Sequence, residues 1–246
     1  MKLLPDGCVS DCIGCHHRMM SATESLQQKY AYLSRVLAPW HAVLHEVQSL
    51  PEELRMAYRE KVSLTANYIH DTWRFGLMRR DEFIAIPRCP IHAPIVNKSL
   101  EIFSNILPHY QQFPLAYYVQ SDRQVVLVCK NNDRPATDWF TIEVWQQLTD
   151  VGIEGLWLHC NLSAGRRMFR KGGWHLLAGK EKSCSRQGLL YGPMAFAQVL
   201  SALHEESLQL SEKFFALHAD DYIIDFYCGI GSSMKRWATH TENILG

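Results

Sequence analysis

From Ser21 onward apolar residues recur at three- and four-residue spacing, at Leu26, Tyr30, Leu33, Val36 and Leu37. This predicts a helix capped by Ser21 or Thr23 and broken at Pro39. A second short helix is expected at Pro51-Glu52-Glu53, where proline suits a first turn. Lys61–Tyr68 then switches to alternation, with Val62, Leu64, Ala66 and Tyr68 on one face, as in a half-buried strand. Strands are expected at Arg74–Met78 and Glu82–Ile86 around the Arg79-Arg80-Asp81 turn, followed by a helix over Pro90–Leu107. Leu115–Gln120 and Gln124–Cys129 read as a hairpin about Ser121-Asp122-Arg123, Thr141–Asp150 as a helix and Gly155–Cys160 as a strand. Trp174–Leu177 is a short strand and Met194–His218 a long helix.

The apolar run Tyr222–Tyr227, broken by Asp225, leads through Cys-Gly-Ile-Gly into a helix at Ser232–Trp237. Strand, glycine-rich turn and helix open a parallel α/β unit. A further strand is expected to begin at Asn243–Gly246. The fold class is α/β: an α+β front and central part, then the start of a Rossmann-like domain. Three stretches follow: a cysteine loop and first part of the central domain (1–92), a central α+β part (93–190), and the start of the Rossmann-like domain (191–246). A doubly wound sheet needs several βα units to cover both faces, so the last stretch is expected to be incomplete or completed by another chain.

Composition narrows this little. With 47% hydrophobic residues the chain is globular rather than disordered. No apolar run reaches membrane-spanning length, and the first residues carry no secretory signal, so a soluble, cytoplasmic protein with no membrane partner is expected. Formal charge is zero, but its distribution is uneven. Arg166, Arg167, Arg170, Lys171, Lys180, Lys182 and Arg186 face Glu181 alone in one stretch, and Arg74, Arg79, Arg80 and Arg88 form a second group. Such groups can hold phosphates or simply form a solvated face.

Eight cysteines in such a chain ask for chemistry rather than disulfides. Cys8, Cys12 and Cys15 share a loop that Gly7 and Gly14 let curl, so three thiolates can converge on one metal or cluster. Cys89, between Arg88 and Pro90, is the candidate fourth ligand. A structural zinc with His16 or His17, and free thiols, are the alternatives. The Cys-x3-Cys-x2-Cys spacing also matches radical S-adenosylmethionine enzymes, but their repeated βα units after the loop are not predicted here. Asp225 and the glycines Gly229 and Gly231 form a nucleotide-site signal at the carboxyl end of a buried strand.

Taken together, these segments resemble the RNA uracil-C5 methyltransferases that carry an iron–sulfur cluster. The resemblance lies in the cysteine loop, Leu26-Gln27-Gln28-Lys29, Tyr58-Arg59-Glu60-Lys61-Val62, Arg88-Cys89-Pro90-Ile91-His92 and Pro193–Leu200, with motif I met by Asp225 through Gly231. Ala195, Leu200 and Ser232 stand where the family commonly has Ser, Asn and Asn. It implies a 4Fe-4S cluster on Cys8, Cys12, Cys15 and Cys89, and S-adenosylmethionine on Gln198, Asp225, Tyr227, Gly229, Gly231 and Ser232. It also implies an RNA partner, rRNA or tRNA, with Arg59, Lys61, Arg79, Arg80, Arg166, Arg167, Arg170 and Lys171 as phosphate contacts.

In that family a cysteine adds to uracil C6, C5 attacks the sulfonium methyl, and a carboxylate removes the C5 proton. By resemblance this nucleophile and base would lie beyond Gly246, so the chain is expected to be a front portion inactive by itself. A non-catalytic iron–sulfur or zinc RNA-binding module is the competing reading.

Overall fold

The alternating segment at Lys61 and the apolar runs after it build one seven-stranded sheet. In this computed structural model residues 4–165, 167–196 and 198–246 are described. Arg166, one of the phosphate candidates, and Ala197 of the Pro193–Leu200 segment lie outside the described residues, as do the first three residues of the cysteine loop's approach. The strands are β1 (Lys61–Ile69), β2 (Thr72–Arg79), β3 (Glu82–Ala85), β4 (Leu115–Ser121), β5 (Gln124–Cys129), β6 (Gly155–Cys160) and β7 (Trp174–Gly179). Their spatial order is β3-β2-β1-β4-β5-β6-β7. All neighbours are antiparallel except β5 and β6, which are parallel and joined through α3 (Ile142–Asp150). The chain is therefore a mixed α/β fold, as expected. β5 lies deep in the sheet, and every one of its residues is buried, which is why its sequence is an unbroken apolar run after Gln124.

One face of the sheet is covered by α2 (Pro94–Ile106) and α3. Val96, Leu100 and Phe103 from α2 and Val144 and Leu148 from α3 pack on Leu64, Phe75, Tyr118, Leu127 and Leu156. On the other face, among the described residues, no helix packs on Val119, Val126 and Val128; Trp157 of β6, Trp174 of β7 and Met168 and Phe169 of the basic loop after β6 pack there instead. Asn161 holds that loop in shape: its side-chain amide donates to the Met168 carbonyl at 3.1 Å and its oxygen accepts the Ser163 N–H at 3.1 Å.

His159 is fully buried beneath this loop, its ring 4.2 Å from that of Trp174. The ring Nε2 accepts the Arg170 N–H at 3.1 Å, which leaves the proton on Nδ1. Burial first, then the charges of Arg170 and His175, push its pKa down to about 4. The unfolded histidine titrates near 6.5, so the neutral ring stabilises the fold fully above that pH and loses the contribution as pH falls towards 4. The loss is at most about 3 kcal/mol. Denaturant titrations between pH 7 and 4 should show this loss in the parent chain and a flatter profile in His159→Phe.

α1 (Ala22–Val36) begins at Ser21, whose hydroxyl accepts the Glu24 N–H while the Glu24 carboxylate accepts from the Ser21 N–H. Between Ser21 and Thr23, Ser21 is thus the cap. The helix expected from Pro90 begins instead at Pro94. Residues 90–93 form a turn held against the approach to β1, with Ala57 N–H on the Pro90 carbonyl at 2.9 Å and Arg59 N–H on the Ile91 carbonyl at 2.8 Å.

The long helix expected over Met194–His218 is α4 (Ser201–Phe215). Its first predicted turns are a loop docked on the sheet, because the Ala195 carbonyl accepts from Lys61 Nζ at 2.6 Å and from Ser121 Oγ at 3.3 Å. A small hairpin unseen in the sequence pattern, β8 (Ser183–Cys184) and β9 (Leu190–Tyr191), precedes it. The chain then forms β10 (Ile223–Ile224), α5 (Ser232–Trp237) and β11 (Ile244–Leu245), with β10 and β11 paired in parallel. β10 is shorter than its apolar run suggested.

Candidate functional site

The cysteine loop is shaped by its own short backbone turns, Cys8 N–H on Pro5 and Cys12 N–H on Val9. Gly7, at φ +77°, lies against the Arg88 carbonyl so closely that a Cβ would stand 2.4 Å from that oxygen. Glycine is thus required where the loop meets the turn that carries Cys89. Arg18 ties the loop from inside: its guanidinium donates to the carbonyls of Ser10 at 2.6 Å, Cys15 at 3.4 Å and Cys12. The Cys89 carbonyl accepts the His92 N–H at 3.1 Å and the Asn97 side-chain amide at 3.0 Å, which fixes the turn at the start of α2.

These contacts bring Cys8, Cys12, Cys15 and Cys89 to line one cavity of about 660 Å³, shared with Tyr58 and Arg59. Burial pushes the Cys15 thiol up, opposed by Arg59 and Arg18 and reinforced by the charges of Cys12 and Cys8. Burial likewise raises Cys89, against the N–H groups of Ile91 and His92, and Cys15 and Cys12 add to the rise. The two thiols are therefore protonated at neutral pH until a cation displaces the protons. The four sulfurs surround a space rather than converging on a point: among the described residues no group of three or more His, Cys, Asp or Glu can hold a metal ion. His16 and His17 line the same cavity, with His17 Nδ1 2.8 Å from the Ser25 hydroxyl of α1. Cys129 and Cys160 are buried in the sheet, and Cys184 is exposed.

The second locus is the turn after β10. The Asp225 N–H donates to the Leu245 carbonyl at 2.8 Å, and the Ser233 hydroxyl in the first turn of α5 donates to the Asp225 carboxylate. Tyr227, Gly229 and Gly231 all have left-handed backbones, at φ 71°, 60° and 84°. This alternation coils the loop and delivers Gly231 as the N-cap of α5, with Ser232 as its first residue. The Tyr227 side chain is fully exposed. Gln198 is exposed too, and among the described residues no hydrogen bond joins it to the Asp225–Ser232 turn.

The candidate phosphate contacts divide among four places. Arg59 lines the cysteine cavity, with its buried Nε unpartnered. Lys61 is half-buried, its pKa lowered by burial, and it pins Ala195 while lying over the Phe196 ring at 5.5 Å. Arg79 and Arg80 are exposed at the β2–β3 turn. Arg167, Arg170 and Lys171 are exposed on the loop over the second face, with Arg170 Nε donating to the Cys160 carbonyl at 2.8 Å. Sequence reasoning missed Gly7 as a contact glycine, Arg18 and Ser233. The signal for Arg18 was a lone arginine three residues after the last loop cysteine.

The last elements, β10, the coiled glycine turn, α5 and the parallel β11, are arranged as in the opening of a Rossmann-like domain. No protein-family model matches the chain. It is similar to the 23S rRNA (uracil(1939)-C(5))-methyltransferase RlmD of Klebsiella pneumoniae, 22% identical over 246 residues, covering 96% of this chain and 52% of that protein. The proteins of the same name from Vesicomyosocius okutanii (22% over 244 residues) and Alcanivorax borkumensis (23% over 248 residues) are matched over 96% of this chain and 54% of their own lengths. The chain thus spans about half the length of the curated relatives it matches. Among the described residues, no helix is long and apolar enough to cross a membrane.

Proposed function

We propose that this chain supplies the cluster-bearing front part and the cofactor turn of a cytoplasmic enzyme that methylates uracil C5 in ribosomal RNA, using S-adenosylmethionine. The observation that carries the reading is the Asp225–Ser232 turn, a motif I sequence that folds as strand, left-handed coil and helix within a chain similar along 96% of its length to uracil-C5 methyltransferases. Asp225, Gly229, Gly231 and Ser232 would hold the cofactor, with Tyr227 beside it and Gln198 brought in from the docked segment. S-adenosylmethionine supplies an electrophilic methyl group. The Ser233 hydroxyl orients the Asp225 carboxylate for a polar group of the ligand.

A 4Fe-4S cluster on Cys8, Cys12, Cys15 and Cys89 belongs to the same reading. Its support is a sulfur-lined cavity with two arginines to offset thiolate charge and amide donors at Cys89. The cluster's part is structural: it joins the front loop to the start of α2.

In the proposed reaction a thiolate attacks C6 and a base takes the C5 proton, and a partner polypeptide segment would supply them. The surface that would receive it is the bare face of the β10–β11 pair, where Tyr222, Ile224, Phe226 and Leu245 are 84%, 59%, 79% and 65% exposed. Parallel sheets are covered on both faces, so four large apolar groups left in water ask for a cover. Equilibrium dialysis with labelled S-adenosylmethionine tests the cofactor site: Asp225→Ala should bind about tenfold or more weakly. Equal binding by both chains would overturn it. With the matching second half of a relative added, methyl transfer to an rRNA fragment should appear.

A further inference from the structure

Behind the Cys89 turn lies a second cavity, of about 880 Å³, between the start of β2, the segment leading to Pro90 and the first turns of α2. Arg74, Arg88 and Lys98 line it from these three elements, and each of these side chains is exposed. Among the described residues none of the three forms an ion pair, although Glu101 lines the same cavity. Unpaired cations converging from three separate elements keep their full attraction for an anion. The floor is polar: His92, only 4% exposed, lies beside Asn97, whose side chain hydrogen-bonds His92 and donates its amide nitrogen to the Cys89 carbonyl at 3.0 Å.

We propose that this groove is a phosphate-binding subsite that seats the backbone of a single-stranded RNA segment. The three cations take phosphate oxygens. The inference rests on the RNA-methylating reading and adds to it a contact surface made of Arg74, Arg88 and Lys98. Because Arg88 also carries the carbonyl against which Gly7 packs, a strand held here would lie on the back of the cysteine turn.

The test is filter binding of a short single-stranded RNA over a range of salt, with the full chain and the triple variant Arg74→Gln/Arg88→Gln/Lys98→Gln. Three lost phosphate contacts should make the slope of log affinity against log salt shallower by about 2. Should the triple variant fail to fold, Lys98→Gln alone, at an exposed helix position, should change the slope by about 0.7. An unchanged slope with intact RNA binding overturns the subsite and leaves the methylation reading standing.

Calorimetry with inorganic pyrophosphate separates the remaining outcomes. If the parent chain has no affinity for RNA, the methylation reading falls. Pyrophosphate binding that is lost in the triple variant then keeps the groove as a site for free phosphates. Binding of neither ligand overturns the groove as well.

Discussion

Cys89→Ser, purified without oxygen, should contain well under half the iron and sulfide of the parent chain, whose expected content is about four of each. The reasoning starts from the geometry of the loop. Cys8, Cys12 and Cys15 are local to one another, whereas Cys89 comes from a turn fixed independently by its hydrogen bonds to His92 and Asn97. A cluster held at all four positions closes a loop of the chain between the first three sulfurs and the fourth. Serine keeps the volume but offers a hard oxygen in place of a soft sulfur. Gly7→Ala should act in the same direction through shape alone, since its Cβ would collide with the Arg88 carbonyl. Cys184→Ser is the control: that cysteine is exposed and lies outside the cavity, so its iron content should match the parent. Parent-like iron and sulfide in Cys89→Ser would remove Cys89 from the ligand set. One zinc per chain without sulfide would replace the cluster with a zinc site.

Phe103→Ala should lower stability by about 3–5 kcal/mol, read as a shift of the urea midpoint at unchanged slope. Phe103 is fully buried, its ring 5.7 Å from that of Tyr118, which in turn stands 5.4 Å from Phe75. This aromatic column joins the middle of α2 to β4 and β2, and nothing beside it can collapse into the vacated space without dislodging the helix. A loss of that size is a large part of a typical domain's stability. Ile142→Ala, on a side chain 72% exposed at the start of α3, should change it by less than about 0.5 kcal/mol. A Phe103→Ala effect as small as that would mean that α2 is not held to the sheet by this column.

The sequence was most legible where one physical preference decided the structure. Ser21 and Thr23 marked the start of α1 as possible caps, and the structure settles on Ser21, whose capping box with Glu24 satisfies two end N–H groups reciprocally. Gln124–Cys129 read as a strand because it pairs with Leu115–Gln120 across the Ser121-Asp122-Arg123 turn as a hairpin. Legibility failed where tertiary contacts decided. The helix expected from Met194 starts only at Ser201, because Lys61 Nζ and Ser121 Oγ both donate to the Ala195 carbonyl and hold Ala195 on the sheet. The β1–β2 turn at His70–Asp71 adopts φ of 50° and 56° without a glycine, so the usual hairpin signal was missing. In the candidate site the cysteines were visible as a spacing. The arginines that frame them were not, because Arg59 reads in sequence as one more cation near a strand and only packing turns it towards the thiols.

All seven strands of the main sheet lie between Lys61 and Gly179, and every pairing within it is made among them. Chains grow at about 5–20 residues per second, and N-terminal units fold first. The platform that anchors the Cys89 turn is therefore complete in the nascent chain seconds before the Asp225–Ser232 turn is finished. On the proposed reading, cluster loading and cofactor binding would be separated in time during synthesis: the first could begin on a finished sheet while the second still awaits its residues.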